Sequence, residues 1–143
     1  MLTIHHLKNA DQKMLKDMQT LLAQLSPALL ELTKERLAQA IEHKGSAVYV
    51  VKEEETIVGT ATLLFCRSLS GGLHAFVEDV VVDEHCRGKG IGKMLMAHII
   101  EVAKKQGVDH INLTSRPERQ AANHLYQTLG FKKRETNMYR LTL

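Results

Sequence analysis

The stretch Phe76–Met96, FVEDVVVDEHCRGKGIGKMLM, constrains the fold more than any other part of the chain. A β-branched run stops at a basic, glycine-rich turn, and an apolar-periodic helix follows at once. Glycines at 88, 90 and 92 remove Cβ atoms from one turn. The turn then takes positive φ at little cost, and its amides stay open to a closely approaching group. A helix beginning near Gly90 aims its unpaired N–H groups and positive dipole end at the same place. Arg87, Lys89 and Lys93 add formal charge there. The arrangement is an anion cradle, and a diphosphate matches it in size and sign. The run Gly88-Lys89-Gly90-Ile91-Gly92 fits neither GxGxxG nor GxxxxGK[ST], so it fails the dinucleotide and P-loop patterns.

The chain has 143 residues, the length of one ordinary domain, and residues 1–143 read as a single one. Tryptophan is absent, so Leu, Ile, Val and Met must fill the interior. The net charge of +3 is gathered into no block longer than Lys132-Lys133-Arg134, and no nucleic-acid partner is expected. Cys66 and Cys86 match no metal spacing, and they read as two reduced thiols in a cytoplasmic protein. The eight histidines form no ligand pair at helical spacing, so no metal is expected. No apolar run approaches the ~20 residues of a membrane span, and no membrane partner is expected.

Periodicity and punctuation outline the elements. Leu2–Leu7 alternates as a strand. Asp11 caps a helix carrying Met14, Leu15, Met18, Leu21, Leu22 and Leu25, which ends before Ser26-Pro27. A second helix is expected from about Leu29 to Glu42. Ala47–Lys52 and Thr56–Phe65 form a hairpin around Glu53-Glu54-Glu55, and a long strand runs from Leu73 to Val82. A helix follows over Gly90–Lys105. His110–Thr114 is a strand parallel to the one before the glycine turn, Arg119–Leu129 is a helix stopped by Gly130, and Phe131–Leu143 closes as a hairpin. The expected fold class is α/β (α+β): a mixed, mostly antiparallel sheet of six to seven strands, with about four helices on both faces.

Arg87-x-x-Gly90-x-Gly92 after an apolar strand, followed by Ala122, Leu125, Tyr126 and then Leu129-Gly130-Phe131, resembles the GNAT superfamily of acyl-CoA-dependent N-acyltransferases. The resemblance extends from about Val48 to Leu141. It implies the GNAT fold and an N-acetyltransferase that moves acetyl from acetyl-CoA to a primary amine by direct attack in a ternary complex. The acceptor is a small-molecule amine, an amino sugar or a peptide or protein amine, and a homodimer is left open. The resemblance further implies that Val80, Val81 and Val82 form a bulged strand whose free main-chain groups hold the pantetheine arm. Arg87, Gly88, Lys89, Gly90, Ile91, Gly92 and Lys93 then take the diphosphate, and Tyr126 is the general acid.

The residues themselves leave several roles open. Amide formation from a thioester needs a base for the amine, and Glu78 is the first choice. Strand alternation puts Glu78, Val80 and Val82 on one face and Val77, Asp79 and Val81 on the other, and either acid can equally be a surface residue. Arg119 stands where relatives carry Asn, and it is either a cofactor-phosphate contact or a solvated charge at the helix start. Lys89 and Lys93 are phosphate contacts or solvated charges. Cys86 reads as an inert thiol more readily than as an acyl-enzyme nucleophile. A non-catalytic acyl-CoA-binding sensor or subunit is the rival class.

Overall fold

The alternating and β-branched runs pair into one five-stranded sheet in the computed structural model, which describes residues 1–143. The strands are β1 (Leu2–His6), β2 (Ser46–Glu53), β3 (Thr56–Ser68), β4 (Gly72–Val82) and β5 (Ile111–Leu113), in spatial order β1-β2-β3-β4-β5. The first four are antiparallel neighbours. β5 joins β4 in parallel because the chain reaches it through a helical crossover. The helices are α1 (Gln12–Ala23), α2 (Lys34–Glu42), α3 (Ile91–Lys105) and α4 (Gln120–Thr128). The Asp11 carboxylate accepts from Met14 N at 2.8 Å and the Thr33 hydroxyl from Arg36 N at 3.1 Å. Each satisfies one of the orphan donors at a helix start.

Two expectations change. The single helix over Leu29–Glu42 is broken into a 3-10 turn over Pro27–Glu31 and α2, with Leu32 at φ −54°, ψ 123° between them. Pro27 presets the first turn, and the Thr33 cap begins a fresh helix rather than continuing the old one. The sheet has five strands, not six to seven, because Phe131–Leu143 does not close as a hairpin. Residues 132–143 make no main-chain hydrogen bond with the rest of the chain, and Met138, Tyr139, Leu141 and Leu143 stand exposed. The strand they would extend, β5, is only three residues long, and the segment opens with the mutually repelling Lys132-Lys133-Arg134.

A core lies on each face of the sheet. Leu95, Met96 and Ile99 of α3 and Tyr126 of α4 pack with Tyr49, Leu63 and Val77 on one side. Leu15, Met18, Leu21 and Leu22 of α1 and Leu37 of α2 pack with Val48, Val50 and Val81 on the other. Each fully buried Leu or Ile contributes roughly 1.5–3 kcal/mol over its exposed state. No helix is long and apolar enough to cross a membrane.

Val77 and Val81 therefore face opposite cores, although strict alternation assigns them to one face. The ladder explains it. Thr60 pairs with Val81 and Thr62 with Glu78, so Asp79 and Val80 together oppose the single residue Ala61. Asp79 takes φ 57°, a conformation that Asp tolerates better than most residues. This is a β-bulge, and its extra residue reverses every side chain beyond it. Val80 and Val82 now pack on the α3 side, while Glu78 stays opposite Val77.

Candidate active site

Three elements meet at the end of β4: the glycine turn, the start of α3, and α4 beside it. The first main-chain bond of α3 runs from Met94 N to Gly90 O at 3.0 Å. From Arg87 to Lys93 no main-chain N–H has a hydrogen-bond partner in the chain. Gly88 (φ 85°) and Gly90 (φ 76°) bend the turn through the left-handed region. A Cβ built on either would have no protein atom within 4 Å, so the space beside these amides is open. A run of successive N–H groups around a left-handed bend is a nest for anionic oxygens. Gly92 serves another purpose. A Cβ there would come within 3.2 Å of Leu125 Cδ2, so the missing side chain lets α3 approach α4.

The exposed Arg87 and Lys93 have no ion-pair partner, whereas Lys89 is tied by its Nζ to Glu53 Oε1 at 3.1 Å. The carboxylate of Glu53, by hydrogen bond and charge, raises the Lys89 ammonium pKa above its ordinary value. Cys86 Sγ lies 3.8 Å from Glu53 Oε2. Burial, then the charge of Asp83, pushes the Cys86 thiol above its ordinary value. A thiol held protonated in this way is a poor nucleophile.

Beside the cradle the sheet opens. β4 pairs with β5 only from Ala75 to Val77, and past Val77 the β5-facing edge of β4 has no neighbouring strand. The bulge at Asp79 bends β4 at the point where the ladder stops. The slot so formed is entered from one side by α4. The half-buried Arg119 donates from Nη2 to the carbonyl oxygen of Val80 at 3.1 Å, so its guanidinium turns into the slot rather than towards the glycine turn. Main-chain access to Val80 is thus shared with Arg119.

Tyr126 is 5% exposed, and the Leu129-Gly130-Phe131 motif fixes it physically. Gly130 sits at φ 98°. The Phe131 N–H donates to Tyr126 O at 3.0 Å and the Gly130 N–H to Gln127 O at 3.1 Å. These are the two bonds of a Schellman cap. The apolar contact that accompanies such a cap is the Phe131 ring on the Tyr126 ring, edge-on with centroids 6.0 Å apart. Burial pushes the phenol above its ordinary pKa, and the charge of neighbouring Arg119 opposes that rise.

Glu78 is exposed on the opposite face, across from Thr62. Partial desolvation of its carboxyl and the charge of Asp79 raise its pKa above the ordinary carboxylate value, against the charge of Arg140. Glu53 and Ser115 were not singled out in the sequence. Ser115 Oγ is buried with no hydrogen-bond partner, two residues beyond the end of β5. Neither carries a sequence signal, because the Glu53–Lys89 pair forms only once the strands are assembled and the Ser115 hydroxyl is set apart only by its burial. A cleft of about 680 Å³ lies elsewhere, lined by His6, Tyr49, Leu73 and Gln106 at the far end of α3. No group of three or more His, Cys, Asp or Glu residues is arranged to hold a metal ion.

The sequence profile of the acetyltransferase (GNAT) family matches residues 15–131. The chain is 28% identical over 103 residues to the uncharacterized N-acetyltransferase YhdJ of Bacillus subtilis, covering 71% of this chain and 72% of that protein. Other curated acyltransferases that it matches are longer, and it spans about half of each, between 44% and 51%. Among solved structures, a putative acetyltransferase from Agrobacterium tumefaciens superposes with a TM-score of 0.84 at 27% identity, over 98% of this chain and 99% of that one. A transcriptional regulator from Bacillus halodurans superposes with a TM-score of 0.85 at 26% identity, over 99% and 100%. With the family profile spanning strand, glycine turn, α3 and the capped tyrosine, the chain belongs to the GNAT acetyltransferase family.

Proposed function

We propose that the chain is an N-acetyltransferase taking acetyl from acetyl-CoA to a primary amine by direct attack within a ternary complex. The observation that carries this reading is the unbroken run of unpartnered amides from Arg87 to Lys93, set beside a strand edge left bare past Val77. A diphosphate fits the first and a pantetheine arm the second, with Ser115 Oγ a further unpaired group near the end of β5. Bound acetyl-CoA supplies an activated acyl carbon. The chain supplies the rest.

Arg87, Lys93 and the amides of Gly88, Gly90 and Ile91 hold phosphate oxygens by charge-assisted hydrogen bonds. The main chain of Val80–Val82 lines the arm. Glu78 reaches the slot from one face of the sheet and removes the amine proton at its carboxylate; a raised pKa suits a base working near neutrality. Tyr126 reaches it from the other face and stays protonated at neutral pH, ready to give its proton to the departing sulfur. One sheet with a core on each face supports reading residues 1–143 as one such domain. The alternating, exposed Tyr139, Leu141 and Leu143 support a homodimer built by strand pairing of the C-terminal segment.

The test is thiol release from acetyl-CoA across a panel of primary amines, paired with thermal shift by CoA and by ATP. Turnover with at least one amine and stabilisation by CoA alone are expected. Stabilisation without turnover on any amine marks a binding module instead. No response to CoA removes the reading altogether.

A further inference from the structure

We propose that Arg119 is a catalytic residue of the acyl transfer, its guanidinium holding the negative charge that develops on the departing sulfur in the slot between β4 and β5. The inference rests on the acetyl-CoA reading above and adds to it a role that Tyr126 and Glu78 do not fill.

Three observations converge. Arg119 is half-buried, yet no carboxylate pairs with it; its one hydrogen bond to the main chain goes to the neutral carbonyl of Val80. A partly desolvated cation without a counter-ion is costly unless the site brings an anion to it. Arg119, at the start of α4, also stands two turns before Tyr126 on the same helix face, and its charge opposes the rise that burial causes in the phenol's pKa. Finally, a guanidinium carries five N–H donors in a planar fork, and the bond to Val80 leaves donors free for a second acceptor. The other ionisable side chains on the neighbouring stretches of chain are those of Glu78 and Asp79 on β4 and of Arg116 and Glu118 ahead of α4. All four are exposed.

The balance of the step places an anion where Arg119 sits. The amine nitrogen forms a bond to the acyl carbon and loses a proton to the Glu78 carboxylate. The carbon–sulfur bond breaks and its electron pair goes to sulfur, which then takes a proton from Tyr126 Oη. Between bond cleavage and proton transfer the charge is on sulfur, and after transfer it is on the phenolate. A cation next to both stabilises each stage.

The experiment compares CoA with desulfo-CoA, which lacks the thiol, by calorimetry from pH 7 to 9.5 on wild type, Arg119→Gln and Arg119→Lys, alongside kinetics. In wild type the preference for CoA over desulfo-CoA is expected to grow about tenfold as the thiol ionises; it stays flat in Arg119→Gln and partly recovers in Arg119→Lys. The kcat of Arg119→Gln is expected to fall roughly 10²–10³-fold, the cost of losing one donor to a developing anion, with KM for acetyl-CoA changed little. A wild-type preference that is flat with pH overturns the proposal. So does a rise in KM at unchanged kcat, which marks a mere clamp on Val80. If neither CoA nor desulfo-CoA binds wild type, the underlying acetyl-CoA reading fails instead. Arg119→Lys, which keeps the charge, covers the case in which Arg119→Gln does not fold.

Discussion

Gly90 and Gly107 make a matched pair for asking whether the glycine turn is built for an anion or only for the helix that follows. Both take φ near 77°, at 76° and 78°. Around both, an added Cβ meets no protein atom within 4 Å. One precedes α3 and the other follows it, at opposite ends of the same helix. An Ala in the left-handed region costs about 1–2 kcal/mol. Each of Gly90→Ala and Gly107→Ala is therefore expected to lower the melting temperature by roughly 3–8 °C for a chain of this size. Binding should separate them. At Gly90 the new methyl occupies the space from which an oxygen reaches the surrounding amides, and losing one charge-assisted hydrogen bond of ~1.5–3 kcal/mol weakens CoA binding by about 10- to 150-fold. At Gly107 the affinity should be that of wild type. Calorimetric titration of both variants with CoA, after thermal melts have matched their stabilities, gives the comparison. Equal affinities in the two variants would refute the idea that the open space at Gly90 is where a phosphate sits.

The remaining expectations concern protons, thiols and assembly. The acid limb of the pH–rate profile should lie above the ordinary carboxylate range, because desolvation and Asp79 raise Glu78; Glu78→Gln should abolish that limb and reduce kcat/KM about 10²- to 10⁴-fold. If the limb survives in the variant, the base is another group. Cys86→Ser should retain turnover, and Cys86 should be alkylated more slowly than the half-buried Cys66, since burial keeps its thiol protonated; turnover abolished in a folded Cys86→Ser variant would reinstate a covalent route. Sedimentation velocity should show a dimer that deletion of residues 138–143 converts to monomer, and a monomer at ~100 μM for the full chain argues against strand pairing by the C-terminal segment.

What the sequence disclosed was mostly local. Asp11 and Thr33 cap helices through contacts three residues away, and Gly90, Gly107 and Gly130 punctuate helix ends through their own φ. These signals are legible because cause and effect lie within one turn. The bulge is just as local, yet nothing in Glu78-Asp79-Val80 marks its position: the family resemblance implies a bulged strand over Val80–Val82, and the extra residue sits at Asp79. Strict alternation therefore puts Val80, Val81 and Val82 on the faces opposite to those they take. The direction of Arg119 depends on where β5 ends, and the Glu53–Lys89 pair joins residues 36 apart in sequence. Residues 132–143 carry a strand-like pattern, yet a pattern forms a strand only when an edge of sufficient length receives it.

The doubled residue opposite Ala61 decides which layer the last three residues of β4 face. Removing one amino acid at Asp79 would restore regular pairing with β3 and straighten the strand. It would also swing Val80 and Val82 across the sheet, so that valines now lining the tyrosine's side would turn to the other helical layer. The apolar lining on the tyrosine's side of this wall thus owes its place to an insertion a single peptide unit long.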